Sequence, residues 1–364
     1  MDDVERMRRA MALAAEVRTA TAPNPWVGCI VVPAGPGSGD SGRSGRLADG
    51  ADALPEVFEG ATSPPGGPHA ELTALAAAGE QARGATLYTT LEPCAHHGRT
   101  PPCTDAIVEA GVARVVIGIE DPDPQVAGRG IEALRAAGIE VTVGVAADEV
   151  VAQLAPYLKH RTTGRPWVVL KMASSLDGRT AAPDGTSRWI TGEAARRDVH
   201  RLRSHSDAVL VGAGTVRADD PELTVRLDDG ANGDTATDSD TDTDRDRPQP
   251  RPQPLRVVLG TAPPEARVHP ALELSGDLTD VLGELGRRGV LQLLVEGGPT
   301  VAHDFHAAGL VDRYVLYLAP AIFGGDDGHP LFAGPGAGTI ADVWKGRLIS
   351  VERLGDDLRV EVAA

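Results

Sequence analysis

Ala85-Thr86-Leu87-Tyr88-Thr89-Thr90, Val112-Ala113-Arg114-Val115-Val116-Ile117 and Ile139-Glu140-Val141-Thr142-Val143 are three strand-length runs rich in β-branched and apolar residues. Helical periodicity fills the stretches at 69–81, 103–110 and 128–137, and several of these close on a glycine (Gly79, Gly111, Gly138), as helix C-termini favour. Strands alternating with helices make a sheet covered by helices, which predicts an α/β domain. Upstream, Val4, Met7, Met11, Ala14 and Val17 repeat at helical spacing over 3–18, and a strand-like run follows at 27–32.

Downstream, a polar helical stretch at 147–162 leads to a second start at Trp167-Val168-Val169-Leu170-Lys171-Met172. Buried-strand patterns recur at 208–212, 255–259, 290–295 and 313–318, and 347–353 with 357–362 reads as a hairpin around Gly355-Asp356-Asp357. The boundary is placed near residue 150, giving domains at 1–149 and 166–364 with 150–165 as connector. Two stretches break the pattern: 34–55, rich in Gly, Ser and Asp, and 228–254, with alternating Asp and Thr and then Arg-Pro-Gln-Pro repeats. Both read as solvated, mobile insertions.

Composition narrows the function. The 364 residues suit two domains. Aromatics make up only 3%, so Val, Leu, Ile and Ala must build the cores. A net charge of -17 argues against non-specific binding to nucleic acid or anionic membranes, since both need a basic face. It leaves room for a small anionic substrate held by local arginines. Three cysteines are too few for a disulfide framework, the N-terminus opens on acids rather than a signal peptide, and no apolar run reaches the roughly 18 residues of a membrane span. The expectation is a cytoplasmic protein, with Cys29 an inert core residue.

Pro68-His69-Ala70-Glu71, then Glu92-Pro93-Cys94, then eight residues and Cys103 carry the strongest chemical signal. One imidazole and two thiolates suit zinc and leave a fourth position open, where bound water has its pKa lowered to near 7. Glu71, beside the ligand but not one of them, is then the candidate proton shuttle. Nucleobase deaminases divide the work in this way. Two other readings stand beside it: a closed structural site completed by His96 or His97, and unrelated buried cysteines.

These residues, with the loop Ala95-His96-His97-Gly98-Arg99-Thr100-Pro101-Pro102 and the upstream Pro23-Asn24-Pro25-Trp26-Val27-Gly28, resemble the deaminase half of the bifunctional deaminase–reductases of riboflavin biosynthesis. Long cysteine spacing sets that family apart from tRNA and cytidine deaminases. The resemblance implies a cytidine-deaminase-like α/β/α domain in which His69, Cys94 and Cys103 hold zinc and Glu71 is the catalytic proton donor. It further implies that Asn24, His96 and Arg99 lie along the substrate. Where the family usually carries Gly-Phe-His, this chain has Gly60-Ala61-Thr62.

In the second half, Gly212-Ala213-Gly214 lacks the third glycine of a dinucleotide fingerprint. Glu296-Gly297-Gly298-Pro299-Thr300, however, follows an apolar run and opens a helical pattern, where backbone N–H groups can cradle phosphate. The ordered set resembles the family's reductase half, an α/β domain similar to dihydrofolate reductase. By that resemblance Ala173, Trp189, Thr215, Asp219, Thr261 and the turn Gly298, Pro299, Thr300, Val301, Ala302, His303 and Asp304 line NADPH. Ser187, Arg203, Leu223, Arg226 and Glu296 meet the substrate, and Lys171 and Asp177 take part in catalysis.

The implied reactions are zinc-dependent deamination of 2,5-diamino-6-(5-phosphoribosylamino)pyrimidin-4-one, then NADPH reduction of the ribosyl chain to ribityl. The partner implied is thus a small phosphorylated pyrimidine, with no nucleic acid and no membrane, and a homo-oligomer is expected. The family usually carries a longer segment where this chain has 262–293, and 262–280 is poor in strand signal. That motivates an alternative: a deaminase only, whose second half is a ligand-binding or oligomerisation module.

Overall fold

A computed structural model describes residues 2–35, 57–96, 101–226 and 253–364. Almost all of the insertions expected at 34–55 and 228–254 therefore lies outside the described residues. The chain divides into two compact units, Met1–Gly164 and Arg165–Ala364.

Unit 1 runs α1 (Asp3–Val17), β1 (Gly28–Val32), β2 (Phe58–Ala61), α2 (Ala70–Ala78), β3 (Thr86–Leu91), α3 (Cys103–Glu109), β4 (Arg114–Ile119), α4 (Arg129–Ala136), β5 (Glu140–Val143) and α5 (Ala147–Thr163). The sheet order is β2-β1-β3-β4-β5. β1 pairs antiparallel with β2 and β3, while β3, β4 and β5 are parallel. Asp2 and Glu5 form a reciprocal capping box that starts α1. Its buried stripe is Met7, Ala10, Leu13 and Ala14, rotated from the one read in the sequence. The close approach of β1 explains the rotation: a Cβ on Gly28 would lie 1.8 Å from the Ala10 carbonyl oxygen.

Residues 150–165, read from sequence as a connector, instead form most of α5 and its end. Val150, Leu154 and Tyr157 are buried there, and a Cβ on Gly118 of β4 would come within 2.9 Å of Val150. The helix is part of the first unit because it has an apolar face to bury against β4.

Unit 2 runs β6 (Trp167–Ser175), β7 (Arg179–Ala181), α6 (Glu193–Ser204), β8 (Ala208–Gly212), α7 (Ala213–Asp219), β9 (Leu255–Leu259), β10 (Leu272–Leu274), α8 (Leu278–Arg287), β11 (Gln292–Val295), α9 (Pro299–Ala307), β12 (Arg313–Ala319), β13 (His329–Pro330), β14 (Arg347–Leu354) and β15 (Asp357–Ala363). Its main sheet has the order β10-β9-β8-β11-β6-β12-β15-β14. The pairs from β10 to β12 are parallel, and the C-terminal hairpin is antiparallel. Alternation along the strands sends Val168, Leu170, Leu210 and Leu293 into one core and Val169, Val209, Val211 and Leu294 into the other. A separate two-stranded sheet joins β7 and β13.

Candidate active sites

In unit 1 the sheet delivers three potential ligands to one point. His69 sits in extended conformation just before α2, Cys94 follows β3, and Cys103 opens α3. Gly60 of β2 lets α2 come close: a Cβ there would lie 2.3 Å from the Ala70 carbonyl oxygen. His69 Nδ1 is 3.2 Å from Cys103 Sγ and 3.6 Å from Cys94 Sγ, and the two sulfurs are 3.6 Å apart. Zinc bonds of about 2.3 Å to sulfur and about 2.0 Å to nitrogen give tetrahedral edges of about 3.8 and about 3.5 Å. The trio fits that ion.

Among the described residues the only metal-holding group of this kind is His69, Cys94 and Cys103. His96 is exposed on the cavity lining rather than filling a fourth position. His97 and the expected substrate contact Arg99 lie outside the described residues.

Glu71 stands in the first turn of α2, 4% exposed, and burial pushes its carboxyl up to about 7. The Cys103 hydrogen bond brings Cys94 down to about 4, and the Cys94 thiolate in turn pushes Cys103 up. Hydrogen bonding to Cys94 raises His69. Cys29, the second residue of β1, is fully buried and its thiol is held well up by burial.

A cavity of about 560 Å³ opens over these residues. Asn24 and His96 are among the residues that line it. Thr62, Asp121, Asp123, Tyr157 and Arg161 line it too, though the sequence reading did not single them out as site residues. Thr62 Oγ1 accepts the Val27 N–H at 3.0 Å, so the residue that differs from the family pattern closes onto β1. Tyr157 donates to Asp121 at 3.0 Å, and the Arg161 guanidinium lies 3.6 Å from Asp123 and 5.1 Å from the Tyr157 ring. The available signal was weak: two acids at the end of a strand, and a Tyr and Arg four apart on a helix.

In unit 2 both glycine turns lie at the C-terminal ends of the neighbouring parallel strands β8 and β11. They face one another: a Cβ on Gly298 would lie 3.1 Å from Thr215 Oγ1, and one on Gly212 would lie 2.8 Å from Val301. The two turns come this close only because neither glycine carries a side chain. Thr300, His303 and Asp304 continue α9 around this turn, while Val301 and Ala302 are buried beneath it.

Arg203 and Glu296 form a two-pronged ion pair, Nε–Oε1 2.5 Å and Nη2–Oε2 2.9 Å, and Arg203 Nη1 donates to the Thr224 carbonyl at 3.1 Å beside buried Leu223. Lys171 is close enough to feel both charges. Burial lowers its pKa, with Glu296 opposing. Arg226 is exposed, pairs with Glu222 at 3.3 Å, and donates its main-chain N–H to His200.

Other expected residues are not drawn into these contacts. Trp189 is 70% exposed and lies against Arg196. Asp219 offers its carbonyl to Arg188 at 2.6 Å, Thr261 is exposed after β9, and Ala173 and Ser187 are half-buried. Asp177 is tied into a turn. Its carboxylate accepts from Ser175 Oγ at 2.5 Å, Phe323 N–H at 3.2 Å and Gly324 N–H at 2.9 Å, and these donors hold it at about 2. A carboxyl so held stays ionised at neutral pH and cannot donate a proton there.

The segment 262–293 is structured: β10 pairs with β9, and α8 buries Val281, Leu282 and Leu285. The poor strand signal at 262–280 reflects a strand of only three residues at a sheet edge.

Comparison with known proteins places these sites in a family. Residues 1–119 match the cytidine and deoxycytidylate deaminase zinc-binding region, and residues 166–360 match the RibD C-terminal domain. The Escherichia coli riboflavin biosynthesis protein RibD is 39% identical, covering 98% of each chain. Among solved structures, Acinetobacter baumannii RibD is 36% identical with a TM-score of 0.84, covering 99% of this chain and 98% of that one. A diaminohydroxyphosphoribosylaminopyrimidine deaminase/5-amino-6-(5-phosphoribosylamino)uracil reductase from Thermotoga maritima is 34% identical with a TM-score of 0.78, over the same shares. The deaminase-only alternative is not favoured, because the reductase-domain match spans 262–293 and the likeness is full-length. With both halves matched in order from end to end, the chain belongs to the RibD family of riboflavin biosynthesis proteins.

Proposed function

We propose that unit 1 deaminates 2,5-diamino-6-(5-phosphoribosylamino)pyrimidin-4-one and that unit 2 then reduces the ribosyl chain of the product. As a member of its family the chain is a hydrolase and an oxidoreductase, using zinc and NADPH. The observation that carries the deaminase assignment is the open His69–Cys94–Cys103 trio with Glu71 buried beside it.

His69, Cys94 and Cys103 would hold zinc, which when bound would lower the pKa of a water molecule and so supply the nucleophile. Burial pushes the Glu71 carboxyl up, which suits it to hold a proton and release it again. It takes a proton from the attacking water, passes it to the ring nitrogen, and moves the next to the leaving amine. Water oxygen joins the ring carbon, the carbon–nitrogen bond breaks, and ammonia departs. Asn24 and His96 on the cavity wall orient the pyrimidine, with Arg99 assigned to the same substrate.

In unit 2 the crease between the starts of α7 and α9 takes the cofactor phosphates, Thr215 and Gly298 forming its two sides. NADPH held there would supply the hydride needed at C1 of the opened ribose. The Arg203–Glu296 pair positions the substrate, and Lys171 is the acid that delivers the accompanying proton. Asp177 serves as the anchor of the turn at 323–324. The same reading makes the protein cytoplasmic, with none of its three cysteines in a disulfide, and a homo-oligomer. The latter rests on the edge strand β14, whose Leu348 and Val351 are more than half exposed. Light scattering showing a monomer would remove that part.

Glu71→Gln tests the assignment: zinc content and reduction of the uracil intermediate persist, while deamination falls by at least 100-fold. Undiminished deamination would overturn it.

A further inference from the structure

We infer that Glu92, which no step above uses, is a positioning residue that fixes the zinc ligand Cys94. The inference rests on the zinc-dependent reading of unit 1.

Glu92 is 4% exposed at the end of β3, two residues before the ligand. Four main-chain N–H groups converge on its carboxylate. Oε2 accepts from Asp121 at 3.2 Å and Gly128 at 3.0 Å; Oε1 accepts from Gly130 at 2.8 Å and Ile131 at 3.2 Å. The last three belong to the start of α4, which has no capping side chain of its own. Helix and ligand segment are therefore joined through one side chain.

The fit is tight on the other side as well. A Cβ on Gly130 would lie 2.0 Å from the Pro93 carbonyl oxygen, so α4 presses directly on the residue before Cys94. Beyond it, Cys94 accepts the Thr104 N–H on its carbonyl at 3.2 Å and the Cys103 N–H on its sulfur at 3.5 Å. Cys94 is thus clamped between the starts of two helices, and Glu92 supplies one jaw. Only a carboxylate offers two acceptor oxygens. A glutamine would turn an NH₂ group toward two of the four donors and leave them unpaired.

The test uses the full chain with Glu92→Gln, measured well below its melting temperature. Chelator competition should show zinc held 10–100-fold less tightly, the range expected when a residue supporting a metal ligand is lost. The cobalt-substituted protein should show altered ligand-field bands. Reduction of the uracil intermediate by unit 2 should match the parent. Zinc retention and cobalt spectrum within twofold of the parent, whatever happens to the melting temperature, would reduce Glu92 to a helix cap and overturn the inference. If Glu92→Gln does not fold, Gly130→Ala decides, since it pushes on Pro93 and on the Glu92 carboxylate while keeping both acceptor oxygens. Weakened zinc retention supports the clamp, and unchanged retention refutes it. A parent chain that binds no zinc would instead overturn the reading of the site itself.

Discussion

Arg203→Met isolates the energetics of the second site. The pair it breaks is enclosed, with side chains 13% and 8% exposed, and both guanidinium–carboxylate contacts are at hydrogen-bond distance. Removing one partner of a buried pair costs about 3–5 kcal/mol, because the remaining charge is stranded. Lys171 partly compensates Glu296, which places the expected loss near the lower end, about 3 kcal/mol. For a unit of roughly 200 residues that is a fall in melting temperature of about 6–12 °C.

The pH dependence carries a sign. Burial pushes the Glu296 carboxyl up, but the Arg203 charge and hydrogen bonds bring it below its ordinary value. In the parent, its contribution is present above the unfolded pKa of about 4.3 and is lost as pH falls through the folded value. Without Arg203, burial dominates, the folded pKa rises, and stability is lost instead as pH climbs above about 4.3. The deficit should therefore widen between pH 4 and 7. Urea titrations of parent, Arg203→Met and Arg203→Met/Glu296→Met at several pH values measure this, and the double variant should recover most of the loss. A deficit below about 1 kcal/mol that does not vary with pH would refute the reasoning.

Gly298→Ala places a methyl group in the crease opposite Thr215, so KM for NADPH should rise several-fold in the absorbance assay while deamination is unchanged. Gly60→Ala drives a Cβ into the Ala70 carbonyl; unit 1 should lose about 1–3 kcal/mol in thermal denaturation, and the deaminase should suffer with it. Asp177 is held at about 2, so its stabilising effect is present above roughly pH 3.9 and fades as pH falls toward 2. Asp177→Asn should flatten that part of the acid-denaturation curve and slow reduction less than Lys171→Met does. Stripping zinc with a chelator should abolish deamination and leave reduction of the uracil intermediate intact.

Much of the fold was legible because β-branched runs such as those of β4, β8 and β9 have no other good use than as buried strands. β2, β7, β10 and β13 were not, since they are short and, unlike the equally short β5 and β11, do not lie in a run of β-branched or apolar residues. The zinc trio could be read because its ligands are chemically distinctive and lie on two short segments. The acids at Asp121 and Asp123 and their partners on α5 meet only through folding. The hold of the turn at 323–324 on Asp177 was equally hidden, because its donors lie about 146 positions along the chain. Glu92 looked like part of a ligand motif, and its four donors come from residues about 30 to 40 positions away.

The most direct measurement is product mass after incubating zinc-loaded protein with the diaminopyrimidine ribotide, with and without NADPH. Without cofactor, the ribotide should exchange one amine for oxygen and go no further. With NADPH it should also gain two hydrogens. Unchanged ribotide, or a deaminated product that NADPH leaves untouched, would contradict the two-step account.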